Sequence, residues 1–235
     1  MRLSLLYFVL VINILNSHAQ TPSASTILQK SIQYHDPQGI WGKNKLALHI
    51  AESRPNGPTR NTKVEINLPE SYFKMQQTRD SVVIERIIQN DQCTFTLNGK
   101  TTISEEDTKK YGLNCERSLS TRNYYTYLWG LPMKLQDPGT ILHESVEVAD
   151  FFGKKAYQLR VTYDAQVGSD VWFFYFNPDN YALIGYKFYH DEAKKDGEYI
   201  LLEQEATLNG LRLPKVRHWY LNQSDKFLAT DTLQE

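Results

Sequence analysis

The tripeptide Tyr-His-Asp occurs twice, as Tyr34-His35-Asp36 and as Tyr189-His190-Asp191. Imidazole and carboxylate are the donor types that hold a transition metal or activate water. A His/carboxylate pair is also an acid–base couple. Neighbouring residues on a strand point to opposite faces, so neither pair chelates alone. A metal-dependent or hydrolytic site would need His35, Asp36, His190 and Asp191 to be brought together. The competing reading is local: short polar side chains at element ends bond nearby backbone. No Gly-x-Ser-x-Gly elbow, His-Glu-x-x-His pair or phosphate-cradling glycine loop is present. No serine is singled out for a Ser-His-Asp arrangement, and no cofactor is expected.

The second group with chemical potential is aromatic. Asp170 to His190 reads as two aromatic runs flanking a turn at Asn177-Pro178-Asp179-Asn180, an antiparallel hairpin. Alternation places Trp172, Phe174 and Phe176 on one face, and Val171, Phe173 and Tyr175 on the other. On the return strand Ile184, Tyr186 and Phe188 share a face, opposite Gly185, Lys187 and Tyr189. Gly185 implies a bend or the close approach of another group. A strand apolar on both faces needs cover on both, or cover on one and an apolar cavity on the other. The candidate ligand-binding residues are Tyr124, Tyr127, Trp129, Trp172, Phe174, Tyr186, Phe188, Tyr189 and Trp219. A filled core is the other reading, because burying such rings stabilises the fold with or without a ligand.

The rest of the chain must position these groups. It has 235 residues, a formal charge of -1 and 41% hydrophobic residues. That excludes general disorder, and near-neutral charge argues against a nucleic-acid partner. Arg2, the apolar run Leu3 to Leu15 and Ser17-His18-Ala19 form a cleavable leader over 1–19. The run is short for a membrane span, and no lipid-attachment cysteine follows it. Residues 20–235 read as one domain. Cys93 and Cys115 are the only cysteines, and export favours a disulfide between them; two buried free thiols are the alternative.

Helical spacing covers Ser23 to Tyr34, a capped segment from Ser104 to Tyr111-Gly112, and Leu119 to Trp129. The third helix, rich in tyrosine, either packs on a sheet or plugs a barrel mouth. Elsewhere period-two runs and turns such as Asn98-Gly99 and Asn209-Gly210 give about 11–12 antiparallel strands.

Two stretches carry a resemblance. Trp172-Phe173-Phe174-Tyr175-Phe176-Asn177-Pro178 resembles the strand and Asn/Asp-Pro turn of the LolA-like lipoprotein-carrier superfamily. Asn209-Gly210-Leu211-Arg212-Leu213-Pro214 resembles its Asn-Gly-x-x-x-Pro hairpin. Nearly the whole mature chain is also similar to an uncharacterised exported family of Bacteroidota, a domain of unknown function. Tyr34-His35-Asp36-Pro37, Tyr124-Tyr125-Thr126-Tyr127-Leu128, Gly130-Leu131-Pro132-Met133-Lys134 and Tyr189-His190-Asp191-Glu192 carry that likeness. The resemblance implies a mainly β (α+β) half-open antiparallel barrel. An N-terminal helix and a mid-chain helical insert would cover its opening, and its cavity would be suited to acyl chains. The expected protein is a periplasmic or secreted monomer, non-enzymatic, touching membranes only peripherally. Its expected partner is a lipid or apolar small molecule, with a lipoprotein as a further candidate. The alternative is the His/Asp enzyme, with its site at the barrel mouth.

Overall fold

The computed structural model describes residues 21–234; the expected leader lies outside them. Helix α1 covers Ala24–His35, α2 Glu105–Tyr111 and α3 Cys115–Trp129. The strands in the first half are β1 Leu46–Arg54, β2 Gly57–Asn67, β3 Tyr72–Arg79, β4 Val82–Gln89 and β5 Gln92–Leu97. After the helical insert come β6 Thr140–Phe151, β7 Lys154–Tyr163, β8 Val171–Phe176 and β9 Leu183–Tyr189. The last three are β10 Glu198–Leu208, β11 Leu211–Leu221 and β12 Phe227–Leu233. Each pairs antiparallel with its chain neighbour within two meanders, and β1 pairs with β12 to join them into one sheet. β5 and β6 end the order and do not pair with each other, so the barrel stays open along that seam.

Period-two alternation sets the inner face. Leu46, Leu48 and Ile50 of β1, Val64 and Ile66 of β2, and Phe73 and Met75 of β3 are buried in one core. The core continues through Leu159 and Val161 of β7, Phe174 and Phe176 of β8, and Leu211 and Leu213 of β11. α1 adds Ile27 and Leu28, and α3 adds Leu128 and Trp129. At roughly 25 cal/mol per square ångström of apolar surface removed from water, this face is the main source of stability.

The aromatic hairpin is two-faced as its pattern predicts, with one correction. Phe174, Phe176, Leu183 and Tyr186 enter the main core. Phe173 and Tyr175 join Phe151 and Ala156 in a second cluster on the other face. Ile184 packs with that second cluster and not beside Tyr186 and Phe188. The reason is a bulge: Tyr175 pairs with Gly185 but Phe176 pairs with Leu183, so the alternation slips by one at Ile184. The close approach expected at Gly185 is the Phe151 ring, which stacks on Tyr175 at 3.9 Å between centroids. A Cβ on Gly185 would lie 2.2 Å from that ring.

The helix ends follow capping chemistry. The Ser23 and Ser104 side chains accept from the Thr26 and Asp107 amides, and α2 stops where Gly112 turns left-handed at φ 57°. α3 starts four residues before the predicted Leu119. Asn114 caps it through the Arg117 amide, and Cys115 is its first residue. Cys93 and Cys115 form a disulfide, with 5.4 Å between Cα atoms, that ties the start of α3 to edge strand β5.

Two outcomes are expected. Gly185→Ala destabilises the fold by about 2–3 kcal/mol in urea unfolding, and Phe151→Leu in the same chain recovers part of the loss. An unchanged midpoint in the single variant contradicts the contact. Replacing Cys93 and Cys115 by alanine lowers stability by about 3 kcal/mol, read in the same assay without reductant.

Candidate functional site

α3 lies across the inner face, and its aromatic side chains reach both wings of the sheet. Tyr125 meets Phe73 of β3, Tyr124 stacks on Trp219 of β11, and Tyr127 packs edge-on against Tyr163 of β7 and Trp172 of β8. The helix is fastened at both ends. At its start, besides the disulfide, buried Arg86 donates to Ser118 Oγ and to the Tyr111 and Gly112 carbonyls. At its finish, buried Arg217 of β11 lies 3.6 Å over the Trp129 ring and donates to the Leu128 carbonyl. A cation there suits the negative end of the helix dipole.

The helix does not fill the curve. Between α3 and the open seam lies a cavity of about 920 Å³. Phe73 and Tyr72 wall one side, and Tyr163 and Trp172 the other, with Tyr127 of α3 between. The Tyr127 and Tyr163 hydroxyls hydrogen-bond to each other. Burial holds the Tyr127 phenol well above its ordinary value and pushes Tyr163 up to about 12. Both phenols therefore stay uncharged at physiological pH. The charged groups that line it are paired, Arg122 with Asp91, Lys134 with Asp137 and Asp170 with His190. Leu68, Tyr124 and Val167 line the same cavity, and they are three of the six large apolar residues left exposed among those described.

The predicted ligand residues divide. Tyr124, Tyr127 and Trp172 line this cavity. Phe174, Tyr186, Trp129 and Trp219 are buried core residues. Phe188 stacks on Trp172 from the core side, while Tyr189 packs with Phe173 on the other face. Sequence reasoning passed over Tyr72, Phe73 and Tyr163. Tyr163 shares the parity of Leu159 and Val161, and that run was the available signal for it.

The two Tyr-His-Asp sequences are not assembled. His35 is buried, with Nδ1 donating to the Arg212 carbonyl at 2.7 Å and Nε2 accepting from the Leu183 amide at 2.9 Å. Burial lowers its proton affinity. Asp36 accepts from the Ile40 and Trp41 amides. His190 is exposed and bonds Asp170 at the cavity rim, and Asp191 pairs with Lys194 and caps a short 3-10 turn. His35 meets β9 at its first residue and His190 follows its last. At a rise of about 3.3 Å per residue, roughly 20 Å separates them. Among the described residues no group of three or more His, Cys, Asp or Glu is placed to hold a metal ion. No helix among them is long and apolar enough to cross a membrane.

A family model described as "Family of unknown function (DUF6503)" matches residues 4–235. The chain belongs to that family. Its fold is LolA-like. A LolA superfamily protein from Nitrosomonas europaea superposes with a TM-score of 0.53 at 12% identity, covering 92% of this chain and 93% of that one. A DUF1329 family protein from Desulfovibrio piger gives 0.51 at 10% identity, with 92% of each chain covered. No curated protein matches the sequence. This DUF6503 chain therefore takes its fold assignment from its neighbours and its chemistry from its own side chains.

Beneath α3 sits one ionisable group that reports on the packing. Asp231 of β12 accepts from Trp219 Nε1 at 2.9 Å and faces Arg217 across the strands. Burial, reinforced by Glu52, nonetheless pushes its carboxyl up to about 6. The folded chain thus holds this proton more tightly than the unfolded chain does. The group's contribution to stability is most favourable near pH 4 and falls as pH rises through about 6. Asp231→Asn keeps an acceptor for Trp219 and is expected to exceed the parent by about 2 kcal/mol at pH 8, with the gap closing toward pH 4. A gap independent of pH in urea titrations contradicts this.

Proposed function

We infer that this chain is an exported envelope protein that binds a lipid or acyl group in the cavity between α3 and the open seam. One observation carries the reading: a space of about 920 Å³, walled by the aromatic rings of Tyr72, Phe73, Tyr127, Tyr163 and Trp172 with paired charges beside them, opens past exposed Leu68 and Val167. Ligand sites are typically apolar hollows of about 300–1,000 Å³ with a few polar anchors. Exposed apolar lips suit a ligand that arrives from a membrane or from another carrier. A lipoprotein's acyl chains are one source with the right chemistry. The disulfide favours an oxidising compartment, in line with the leader expected over 1–19. The separation of His35 from His190 leaves the metal and hydrolase reading without an assembled site.

Lipid extraction of the protein purified from an envelope fraction, followed by mass spectrometry, tests the reading. Co-purifying lipid and saturable uptake of a fluorescent fatty acid are the expected results. Leu68→Asp with Val167→Asp is expected to weaken uptake roughly tenfold, about 1.4 kcal/mol, while leaving the melting temperature near the parent's. Absence of both lipid and uptake sinks the proposal.

A further inference from the structure

A second cavity, about 620 Å³, lies on the other side of α3, and its chemistry is opposite. Arg54, Arg60, Arg79 and Arg86 reach it from the sheet. Lys109, Lys110 and Arg117 reach it from the helices. Among the described residues that line it, Glu52 is the single carboxylate. Seven cations thus face one anion in a chain whose formal charge is -1, so the concentration is local and not a consequence of composition.

The few partners present do not neutralise it. Glu52 pairs with both Arg54, at 2.6 Å, and Arg60, at 3.1 Å. Arg86 is engaged with α2 and α3. Arg60 and Arg79 are directly opposite on β2 and β3, a placement that destabilises a sheet when the charges are alike. Among the described residues the Arg79 side chain donates to a neutral oxygen, Gln77 Oε1, at 2.6 Å. Burial, with Arg60 next, holds Arg79 below the ordinary arginine value. Among the described residues neither Arg79 nor Arg117 has an ion pair. Guanidinium groups crowded against their own repulsion form a ready receptor for an oxyanion. A phosphate, with several oxygens and up to two charges, satisfies more of them at once than a carboxylate can.

Tyr124 borders both cavities, and 46% of its surface is open. It is the partition between an apolar chamber and a cationic one. We propose that the ligand is an anionic amphiphile whose phosphate-bearing head sits among Arg54, Arg60, Arg79 and Arg117 while its acyl chain lies in the seam chamber. The tail's place rests on the function proposed above; the anion site stands on its own residues.

Calorimetric titration of the full mature chain separates the two. The probes are dihexanoyl phosphatidic acid, dihexanoyl glycerol with the same chains and no phosphate, and inorganic phosphate. The variants are Arg79→Gln with Arg117→Gln, and Arg117→Gln alone, whose site is exposed. The parent is expected to bind the phosphatidic acid at least about tenfold tighter than the glycerol, and both variants to lose most of that margin. Binding of the glycerol stays unchanged in both, which also certifies their folding. Equal affinity for the two lipids overturns the head-group site and leaves the apolar chamber standing. Phosphate bound as tightly as the phosphatidic acid, with no glycerol binding, overturns the amphiphile, assigning the pocket to a soluble phosphate and removing the lipid reading. No binding of any probe overturns both.

Discussion

The packing of α3 on the inner face of an unclosed sheet is the contact on which the rest depends. Twelve strands curl far enough to make a concave surface but end in two unpaired edges. One 15-residue helix is laid into that concavity. It covers the middle and leaves space on each flank. The finish of the helix at Leu128 and Trp129 is buried, where unsatisfied backbone groups are costly, while its start at Asn114, Glu116 and Arg117 is exposed. The disulfide and Arg86 hold one end, and Arg217 answers the other. The helix depends on these fastenings because it has no apolar stripe of its own: of its residues only Ser118, Thr126, Leu128 and Trp129 are buried. Position is imposed on it from outside.

The two flanks then differ because different strand ends border them. Toward the seam, β2 and β3 present Ile66, Tyr72 and Phe73, and β7 and β8 present Tyr163 and Trp172. Toward the other end of β2 and β3 the alternation runs out into Arg60 and Arg79, joined by Arg54 at the end of β1. A single helix therefore divides the interior into an oily space and a cationic one, with the Tyr124 ring at the boundary. A protein that binds an amphiphile needs that pairing of environments in contact, and a filled core would provide neither.

Much of this was legible in the chain. Alternation marks the strands, Ser23 and Ser104 mark helix starts, and Gly185 announced the close approach that Phe151 makes. What sequence reasoning missed has physical causes. The bulge at Ile184 inverts two residues, and nothing in their types records a slipped register. α3 begins four residues before the expected Leu119, because the run Glu116-Arg117-Ser118 after the Asn114 cap carries no apolar periodicity to mark a helix. The Tyr-His-Asp repeats offer a joint site as one reading, but His35 ties α1 to β9 and β11 across the fold while His190 bonds the Asp170 side chain at the opposite end of β9, contacts that the tripeptide itself does not record. The arginines of the second cavity lie between positions 54 and 117, each resembling a solvated strand or helix end. Only the register of β2 against β3 shows that two of them face each other. Arg217 shares the inward parity of Leu213 and Trp219, a hint that a charge would be buried.

The central claim is that the seam chamber holds an acyl chain against α3. An isotope-filtered nuclear Overhauser spectrum of the protein loaded with a uniformly carbon-13-labelled fatty acid tests it most directly. Cross-peaks from chain methylenes to the rings of Tyr127, Tyr163 and Trp172 are the expected result. Cross-peaks confined to Phe152 and Tyr220, outside the chamber, or none at all under saturating ligand, would contradict it.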